Sequence, residues 1–361
     1  MSRRVLVTGS GGFVGGHVVA AARVAEDVRL RLLVRTPPSA TASPTADGPP
    51  FRTEAPVDDV PVEYVPVEYI RGDLTDPDSL RGVCDGVDAV VHCASQVGGD
   101  PELLRRVNDL GTLALVEEAR RAGVEQFVYL STAAVHGRGP FREVRPGQAP
   151  IAPVSDTSRT RAAAERHVLA EGGTVLRPHL VYGAGDRWVV PGVLTLLRAL
   201  GARPRGRLGR QSVIDAGTLG QVLLSAALAP AVPGGRVHFV GHPDPVPGDE
   251  LLTAVAETYG LFPESVPAIP PETAQARLRD HPLARHHLEL LAVDHWFSDD
   301  RVWTDLGHDP GPAFAERFAR YAEWYRNPGP VPEPAPAPGP DHITPDVAAS
   351  VAIVSSGSQG R

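Results

Sequence analysis

The chain has 361 residues and a formal net charge of −8, with 42% hydrophobic residues, 22% charged residues and 2 cysteines, Cys84 and Cys93. This composition is ordinary for a globular protein of one large domain or two contiguous ones, and the negative charge argues against a nucleic-acid partner. No apolar stretch approaches the ~18 residues needed to span a membrane, and the cysteines suggest no metal site, so we expect a cytoplasmic protein that binds neither membrane nor metal.

Apolar strands alternate with helical patterns in the first half of the chain. We predict strands at 3–8, 29–35, 68–71, 89–93, 126–131 and 174–177, and helices at 14–24, 101–122 and 157–170. Residues 36–61 are rich in Pro, Ala, Thr and Asp without periodicity, which predicts a mobile surface loop. The alternation is typical of a parallel sheet covered by helices on both faces, so we predict an α/β fold, a Rossmann-type doubly wound sheet, over residues 1–178.

The alternation of strand and helix patterns becomes less regular after residue 178. We predict helices at 191–200, 219–229, 250–259 and 313–325, and strands at 212–214 and 236–240. These elements predict a smaller α/β cap lobe at 179–326, which would bind the substrate. Residues 327–361 are rich in Pro and then in Ser and Gly, which predicts a disordered tail.

A glycine-rich turn lies between the first strand and the first helix, with Gly9, Gly12 and Gly15 at its spaced positions. Bare N–H groups at a helix N-terminus bind a pyrophosphate, because the helix dipole and the unpaired donors favour an anion. Gly9 would allow the tight turn, Gly12 the approach of the phosphates, and Gly15 the close packing of helix on strand. The turn therefore predicts a dinucleotide site, and a purely structural turn is the alternative.

Further motifs follow at or just beyond the ends of the later strands: Asp73-Leu74, His92-Cys93-Ala94-Ser95, Val107-Asn108 on the long helix, Leu130-Ser131-Thr132, and Leu176-Arg177-Pro178-His179 with Tyr182-Gly183. From about residue 3 to residue 325 the chain resembles the extended short-chain dehydrogenases/reductases, a group of nucleotide-sugar epimerases, dehydratases and 4-ketoreductases. The resemblance implies a nicotinamide cofactor, a nucleotide-sugar substrate and a homodimer formed by the helices at 101–122 and 157–170. The cofactor contacts that it implies are Thr8, Gly9, Gly11, Gly12, Phe13, Val14, Gly15, Arg35, Asp73, Leu74, Cys93, Ala94, Ser95, Asn108, Arg161, Pro178 and His179.

Arg35 bears on the choice of cofactor. A carboxylate at the end of the second strand would bind the ribose 2′-hydroxyl, but this strand ends Leu33-Val34-Arg35-Thr36. A guanidinium suits a 2′-phosphate, so we expect NADP(H), with NAD(H) as the other possibility. A solvated surface arginine is the alternative reading of Arg35.

The chain departs from the family at the catalytic pair. The family carries Tyr-x-x-x-Lys at the start of this helix, whereas here Thr157 and Arg161 occupy those positions, and all 35 basic residues are arginine. Arg161 can keep the positive charge and the ribose contact, but it is not a tunable acid. Oxidising an alcohol needs a base, whereas reducing a ketone gives an alkoxide that takes its proton from water, so the departure favours a reductase over an epimerase.

Thr132 occupies the family's Ser/Thr position, where its hydroxyl would orient the substrate oxygen. Ala133 and Ala134 follow it, where sugar dehydratases carry an Asp-Glu pair, and this argues against a dehydratase. His136 is either a proton relay or a structural histidine. Arg187, Trp188 and Arg210 resemble the family's contacts to a nucleotide diphosphate, and a solvated basic surface is the alternative.

The sequence thus predicts an NAD(P)H-dependent reductase of a nucleotide-linked keto-deoxysugar. Thr132 would orient the carbonyl, Arg161 would hold the ribose, and water, His136 or Thr157 would supply the proton. A nucleotide-sugar epimerase and a non-catalytic NAD(P)-binding protein are the alternatives.

Overall fold

The computed structural model describes residues 2–25, 27–37, 67–230, 235–262 and 266–328. Almost all of the loop predicted at 36–61 and of the tail predicted at 327–361 lies outside these residues. None of the described helices is long and apolar enough to cross a membrane. Within the same ranges, no group of His, Cys, Asp and Glu side chains is arranged to hold a metal ion.

The strands form one large sheet and two small ones. In chain order they are β1 (Arg3–Thr8), β2 (Val28–Val34), β3 (Val67–Arg71), β4 (Ala89–His92), β5 (Gln126–Leu130), β6 (Phe141–Val144), β7 (Thr174–Pro178), β8 (Leu180–Tyr182), β9 (Arg210–Gln211), β10 (Val213–Asp215), β11 (Arg236–Val240), β12 (Val246–Pro247) and β13 (His295–Phe297). The large sheet has seven strands in the order β11-β7-β5-β4-β1-β2-β3, and all its pairs are parallel. The strand order reverses between β1 and β4, so a ligand crevice is expected at their carboxyl ends.

The α-helices are α1 (Phe13–Arg23), α2 (Pro101–Leu104), α3 (Gly111–Ala122), α4 (Asp156–Ala170), α5 (Val189–Leu200), α6 (Ala216–Leu228), α7 (Gly248–Thr258), α8 (Pro271–Arg277), α9 (Pro282–Ala292), α10 (Arg301–Asp305), α11 (Phe314–Ala319) and α12 (Ala322–Arg326). A π-helical turn at Arg105–Leu110 joins α2 to α3, and 3₁₀ turns lie at Pro77–Leu80 and Ala133–His136. One apolar core packs α1 and α6 on one face of the large sheet. Another packs α3 and α4 on the opposite face, so the predicted doubly wound sheet is confirmed.

The second part of the chain has its own apolar core, which packs α5, α7, α8, α9, α11 and α12 together. A small sheet of order β12-β9-β13-β6 lies beside it. The domain boundary at residue 178 stays a prediction, and the two parts exchange elements. β6 precedes that boundary yet pairs with β13, whereas β11 follows it and completes the large sheet.

Two predicted helices are interrupted. The helix predicted at 101–122 passes through the π-helical turn, and the one predicted at 313–325 is divided into α11 and α12. No sequence pattern predicted β6, β8, β9, β12, β13, α8, α9 or α10. Most of these elements are too short to show a periodicity, and the strands pair only with distant segments.

Candidate active site

The glycine turn has the geometry that a pyrophosphate requires. Gly9 has a φ of +68°, and the Gly12 N–H donates to the Gly9 carbonyl at 2.8 Å. A Cβ added at Gly15 would lie 2.1 Å from the Gly9 oxygen, so only glycine allows α1 to approach the turn. No side chain caps α1, whose first turn contains Phe13 and Val14, and this leaves N–H donors for an anion.

A buried chain of hydrogen bonds joins Thr8, at the start of the glycine turn, to β4 and to the π-helical turn. Thr112 Oγ1 donates its one proton to the Asn108 carbonyl at 2.6 Å. In its contact with His92 Nε2, at 2.9 Å, it must therefore be the acceptor. His92 Nδ1 then accepts from the Thr8 hydroxyl at 2.7 Å, and Thr8 Oγ1 accepts from the Ala94 N–H at 3.2 Å. Burial, with the nearby Arg161 charge, lowers the pKa of His92 to about 3, so the ring is neutral and its tautomer is fixed.

The loop after β4 is tied to the start of α4. Asn108 Oδ1 accepts from the Gln96 N–H at 2.8 Å. Asn108 Nδ2 donates to the Gln96 carbonyl at 2.9 Å and to Thr160 Oγ1 at 3.0 Å. Thr157 Oγ1 accepts from the Gly98 N–H at 3.1 Å. Asn108 lies in the π-helical turn, a distortion that is frequent at functional sites.

Three further predicted cofactor residues follow β4 directly. The Cys93 N–H donates to the Thr8 carbonyl at 3.3 Å, and the Ser95 hydroxyl donates to Asn108 Oδ1 at 3.2 Å. Together with Ala94, these residues form the edge of the crevice next to the glycine turn. The structure therefore brings the residues predicted after β1 and β4 together.

Asp73, Leu74 and Arg35 lie at the outer side of the crevice, beyond β2 and β3. One Asp73 oxygen accepts from both the N–H and the hydroxyl of Thr75, each at 2.8 Å. The Thr75 N–H, with smaller contributions that include the Arg35 charge, lowers the pKa of Asp73. Arg35 is exposed, whereas Leu74 is buried in the core between the sheet and α3.

Arg161 contacts the end of β5, two residues before Thr132. An Arg161 Nη2 donates to the Leu130 carbonyl, and its Cζ lies 5.9 Å from the centroid of the Tyr129 ring. The buried Arg161 Nε has no partner within the described part of the chain. Thr132 Oγ1 accepts from the Ala134 N–H at 3.2 Å, which leaves its own hydroxyl proton available for a ligand.

His136 belongs to a buried network under this site. Glu165 accepts from Arg177 Nε at 2.8 Å and Nη2 at 2.6 Å, and it also accepts from the Ser131 hydroxyl. His136 Nδ1 donates to the Pro150 carbonyl at 2.8 Å, so its Nε2 accepts from Arg177 Nη1 at 3.1 Å. Both ring nitrogens are used within the protein, and burial lowers the pKa of His136, so this geometry favours the structural role.

Pro178 ends β7, and His179 follows it at the same edge of the sheet as Thr132. Arg187 and Trp188 precede α5, and Trp188 is exposed. Arg210 lies on the small sheet, with its Cζ 5.8 Å from the centroid of the Trp296 ring. The assignment of Arg187, Trp188 and Arg210 to the substrate stays a prediction.

An apolar rim, defined as Val97, Ile151 and Val154, was missed by the sequence analysis. Their exposed fractions are 43%, 47% and 54%. Val97 precedes Gly98, which is bonded to Thr157, and residues 150–155 run along the turn that follows Thr132. The signal is their exposure next to the site, which only the folded chain shows.

The crevice, the glycine turn and the Thr132–Arg161 pair define a Rossmann-fold oxidoreductase of the extended short-chain dehydrogenase/reductase type. The chain belongs to the NAD dependent epimerase/dehydratase family, whose model matches residues 5–204.

Several curated relatives are reductases by name. A 2-alkyl-3-oxoalkanoate reductase of Stenotrophomonas maltophilia is 30% identical over 285 residues, which are 70% of this chain and 84% of the relative. A 4-hydroxy-2-methyl-3-oxo-4-farnesyl-3,4-dihydroquinoline-1-oxide ketoreductase of Stigmatella aurantiaca is 28% identical over 330 residues, 84% of this chain and 91% of the relative.

Solved structures share the fold. A UDP-glucose 4-epimerase of Thermus thermophilus in complex with NAD has a TM-score of 0.62 at 24% identity, over 90% of this chain and 100% of that one. The enzyme WbmH of Bordetella bronchiseptica in complex with NAD+ has a TM-score of 0.66 at 20% identity, over 91% of this chain and 100% of that one.

Proposed function

We propose that the protein is an NADP(H)-dependent reductase of ketones carried on apolar molecules. The single observation that supports reduction, rather than oxidation, is the nature of the groups around Thr132. Tyr129 and Tyr182, the tyrosines nearest in sequence, are 1% and 2% exposed, and burial raises the pKa of both. Neither is placed to remove a proton from an alcohol, so the site is suited to the direction that needs no base.

The residues of the site have separate tasks in this reduction. When bound, the nicotinamide supplies a hydride to the carbonyl carbon. The Thr132 hydroxyl donates a hydrogen bond to the carbonyl oxygen, which becomes an alkoxide as the C=O π pair moves onto it. Arg161 places a positive charge beside this oxygen, and the alkoxide takes its proton from water.

The apolar rim supports an apolar substrate. Val97 is exposed in the loop that is bonded to Thr157, and Ile151 and Val154 are exposed in the segment that is bonded to the turn after Thr132. Exposed apolar side chains beside a site favour binding of an apolar ligand. The names of the two reductases described above agree with this, because each describes reduction of a 3-oxo compound that carries an alkyl or farnesyl chain.

A nucleotide-linked keto-deoxysugar is the second candidate substrate. Arg187 and Trp188 precede α5 at its N-terminal end, and an arginine with an exposed tryptophan suits a diphosphate and a base. The predicted homodimer and the cytoplasmic location stay predictions.

Consumption of NADPH with a panel of ketones tests the function. The panel contains a 2-alkyl-3-oxoalkanoate, a 3-ketosteroid and dTDP-4-keto-6-deoxyglucose, each with NADPH and with NADH. Faster turnover of either apolar ketone supports the proposal, and preference for the sugar replaces it with the second candidate. NADPH binding without turnover of any ketone contradicts both.

Thr132→Ala should lower kcat on the preferred ketone about 100-fold, because it removes one hydrogen-bond donor from the developing alkoxide. Thr132→Ser keeps the hydroxyl and should retain most of the rate. Steady-state kinetics of both variants check this, and equal losses in the two would show that the hydroxyl has no part in the reaction.

Arg35→Glu should reverse the cofactor preference. We expect NADPH affinity to fall about 10- to 100-fold, since a charge-assisted contact to the 2′-phosphate contributes roughly 1.5–3 kcal/mol and a carboxylate repels it. NADH affinity should stay within about 3-fold or rise. Fluorescence titration with both cofactors checks this, and parallel losses of the two affinities would contradict the proposed phosphate contact.

A further inference from the structure

His17 joins α1, the helix that follows the glycine turn, to the loop between β8 and α5. Its ring is buried, and Nε2 lies 2.8 Å from the Ala184 carbonyl oxygen. A carbonyl oxygen can only accept, so His17 Nε2 carries a proton and donates it. Burial lowers the pKa of His17, against the smaller opposing effects of this carbonyl and of Asp215, so the ring is neutral near pH 7. Among the hydrogen bonds of the described residues, this is the one that links the loop to α1.

His17 is held firmly on α1 and contacts the first turn of that helix. A Cβ added at Gly220 of α6 would lie 2.6 Å from the His17 carbonyl carbon and 2.7 Å from its oxygen, so α6 packs directly against the His17 backbone. The His17 ring meets the Phe13 ring nearly edge-on, with centroids 6.0 Å apart and an interplanar angle of 80°. Phe13 begins α1, whose N-terminus has no side-chain cap. The Phe13 ring therefore connects His17 to the turn that is expected to bind the pyrophosphate.

Residues 183–188, which we call the α5 loop, form the N-terminal cap of α5. The buried Asp186 carboxylate accepts from the N–H groups of residues 188–190 at 2.8–2.9 Å. Tyr325 of α12 donates its hydroxyl proton to Asp186 Oδ2 at 3.0 Å and accepts from the Gly183 N–H at 2.8 Å. The α5 loop is thus fixed to α12 by these bonds and to α1 by the histidine bond. Opening of the loop exposes the N–H groups of residues 188–190 to solvent.

We infer that His17 is a positioning residue that couples dinucleotide binding at the glycine turn to the order of the α5 loop. This role deepens the proposed function and depends on it, because it requires a dinucleotide bound at α1. A pyrophosphate bound by the uncapped N–H groups supplies the missing cap, so the first turn of α1 opens less often. The His17 ring then stays packed on Phe13 and bonded to Ala184, so the α5 loop opens less often as well. The predicted substrate contacts Arg187 and Trp188 lie in this loop, so the bound cofactor orders them for the substrate.

Hydrogen exchange followed by mass spectrometry tests the coupling in the full-length protein, with and without NADPH. In the native chain we expect saturating NADPH to slow exchange about 10-fold, both in peptides from the glycine turn and in peptides that contain residues 188–190. His17→Leu keeps a buried side chain but removes the donor, so exchange in the turn should still slow, whereas exchange at residues 188–190 should change less than about 2-fold. His17→Gln supplies an amide N–H and should restore most of the response. Equal slowing at residues 188–190 in His17→Leu and in the native chain would overturn the coupling role.

Tyr325→Phe is the control for a purely structural effect, because it removes the other bonds that fix the α5 loop. It should speed exchange at residues 188–190 with and without NADPH, while the slowing caused by NADPH stays. Loss of the NADPH response in Tyr325→Phe would show that the response follows the stability of the loop and not His17. In the native chain, no slowing in the glycine turn would contradict dinucleotide binding itself, whereas slowing in the turn without slowing at residues 188–190 would contradict the coupling alone.

Discussion

A Gly15→Ala variant is expected to bind the dinucleotide at least 100-fold more weakly than the native chain. The added Cβ would lie 2.1 Å from the Gly9 oxygen and 2.7 Å from the Gly9 carbonyl carbon. Both atoms belong to the backbone of the turn, so α1 has to move away from it. Overpacking of this kind costs roughly 1–3 kcal/mol, and the N–H groups that should bind the pyrophosphate move with the helix. Fluorescence titration with NADPH measures the affinity, and circular dichroism confirms that the fold is kept.

Gly11→Ala is the matched control in the same turn. A Cβ added at Gly11 meets no protein atom within 4 Å, so α1 keeps its place, and we expect a smaller loss of NADPH affinity than for Gly15→Ala, although Gly11 is itself a predicted cofactor contact. The two variants carry the same substitution in the same turn, and only Gly15→Ala pushes α1 away from the Gly9 backbone. Similar affinities for both variants would show that the turn does not position the pyrophosphate through close packing on α1.

The glycine turn is a part of the candidate site that can be predicted from the sequence. Its function depends on residues that are consecutive in the chain, and on a strand and a helix that periodicity identifies. Thr132 was placed in the same way, because a residue that follows a parallel strand lies at the edge where ligands bind. Local pattern and one topological rule therefore predicted both ends of the crevice.

Contacts between residues that are distant in the chain could not be predicted from the sequence. The His136 ring was open to two readings, and the structure favours one of them through Pro150 and Arg177, residues that no local pattern links to it. His179, which was predicted from the end of β7, has its side-chain partner, Gln211, on β9, a strand of two residues. Such short segments take their conformation from the partners they pair with, so their sequence alone carries little signal.

The second large effect is expected at Glu165, on the stability of the whole chain. Glu165 and Arg177 have side chains that are 3% and 6% exposed and form a two-pronged ion pair between α4 and β7. Glu165→Ala leaves the Arg177 charge buried without its partner and removes the acceptor of the Ser131 hydroxyl. Breaking a buried pair from one side costs roughly 3–5 kcal/mol. Urea unfolding followed by circular dichroism should therefore show a midpoint shifted to lower urea.

Two controls test whether burial of the charge is the cause. Glu102→Ala removes the partner of an exposed arginine, Arg105, and should leave the urea midpoint unchanged, because solvent screens exposed pairs. The double variant Glu165→Leu/Arg177→Met removes both buried charges and should be more stable than Glu165→Ala, although His136 Nε2 loses a donor. A double variant that is less stable than Glu165→Ala would show that the hydrogen bonds of Arg177 to its other neighbours, and not its unpaired charge, account for the loss.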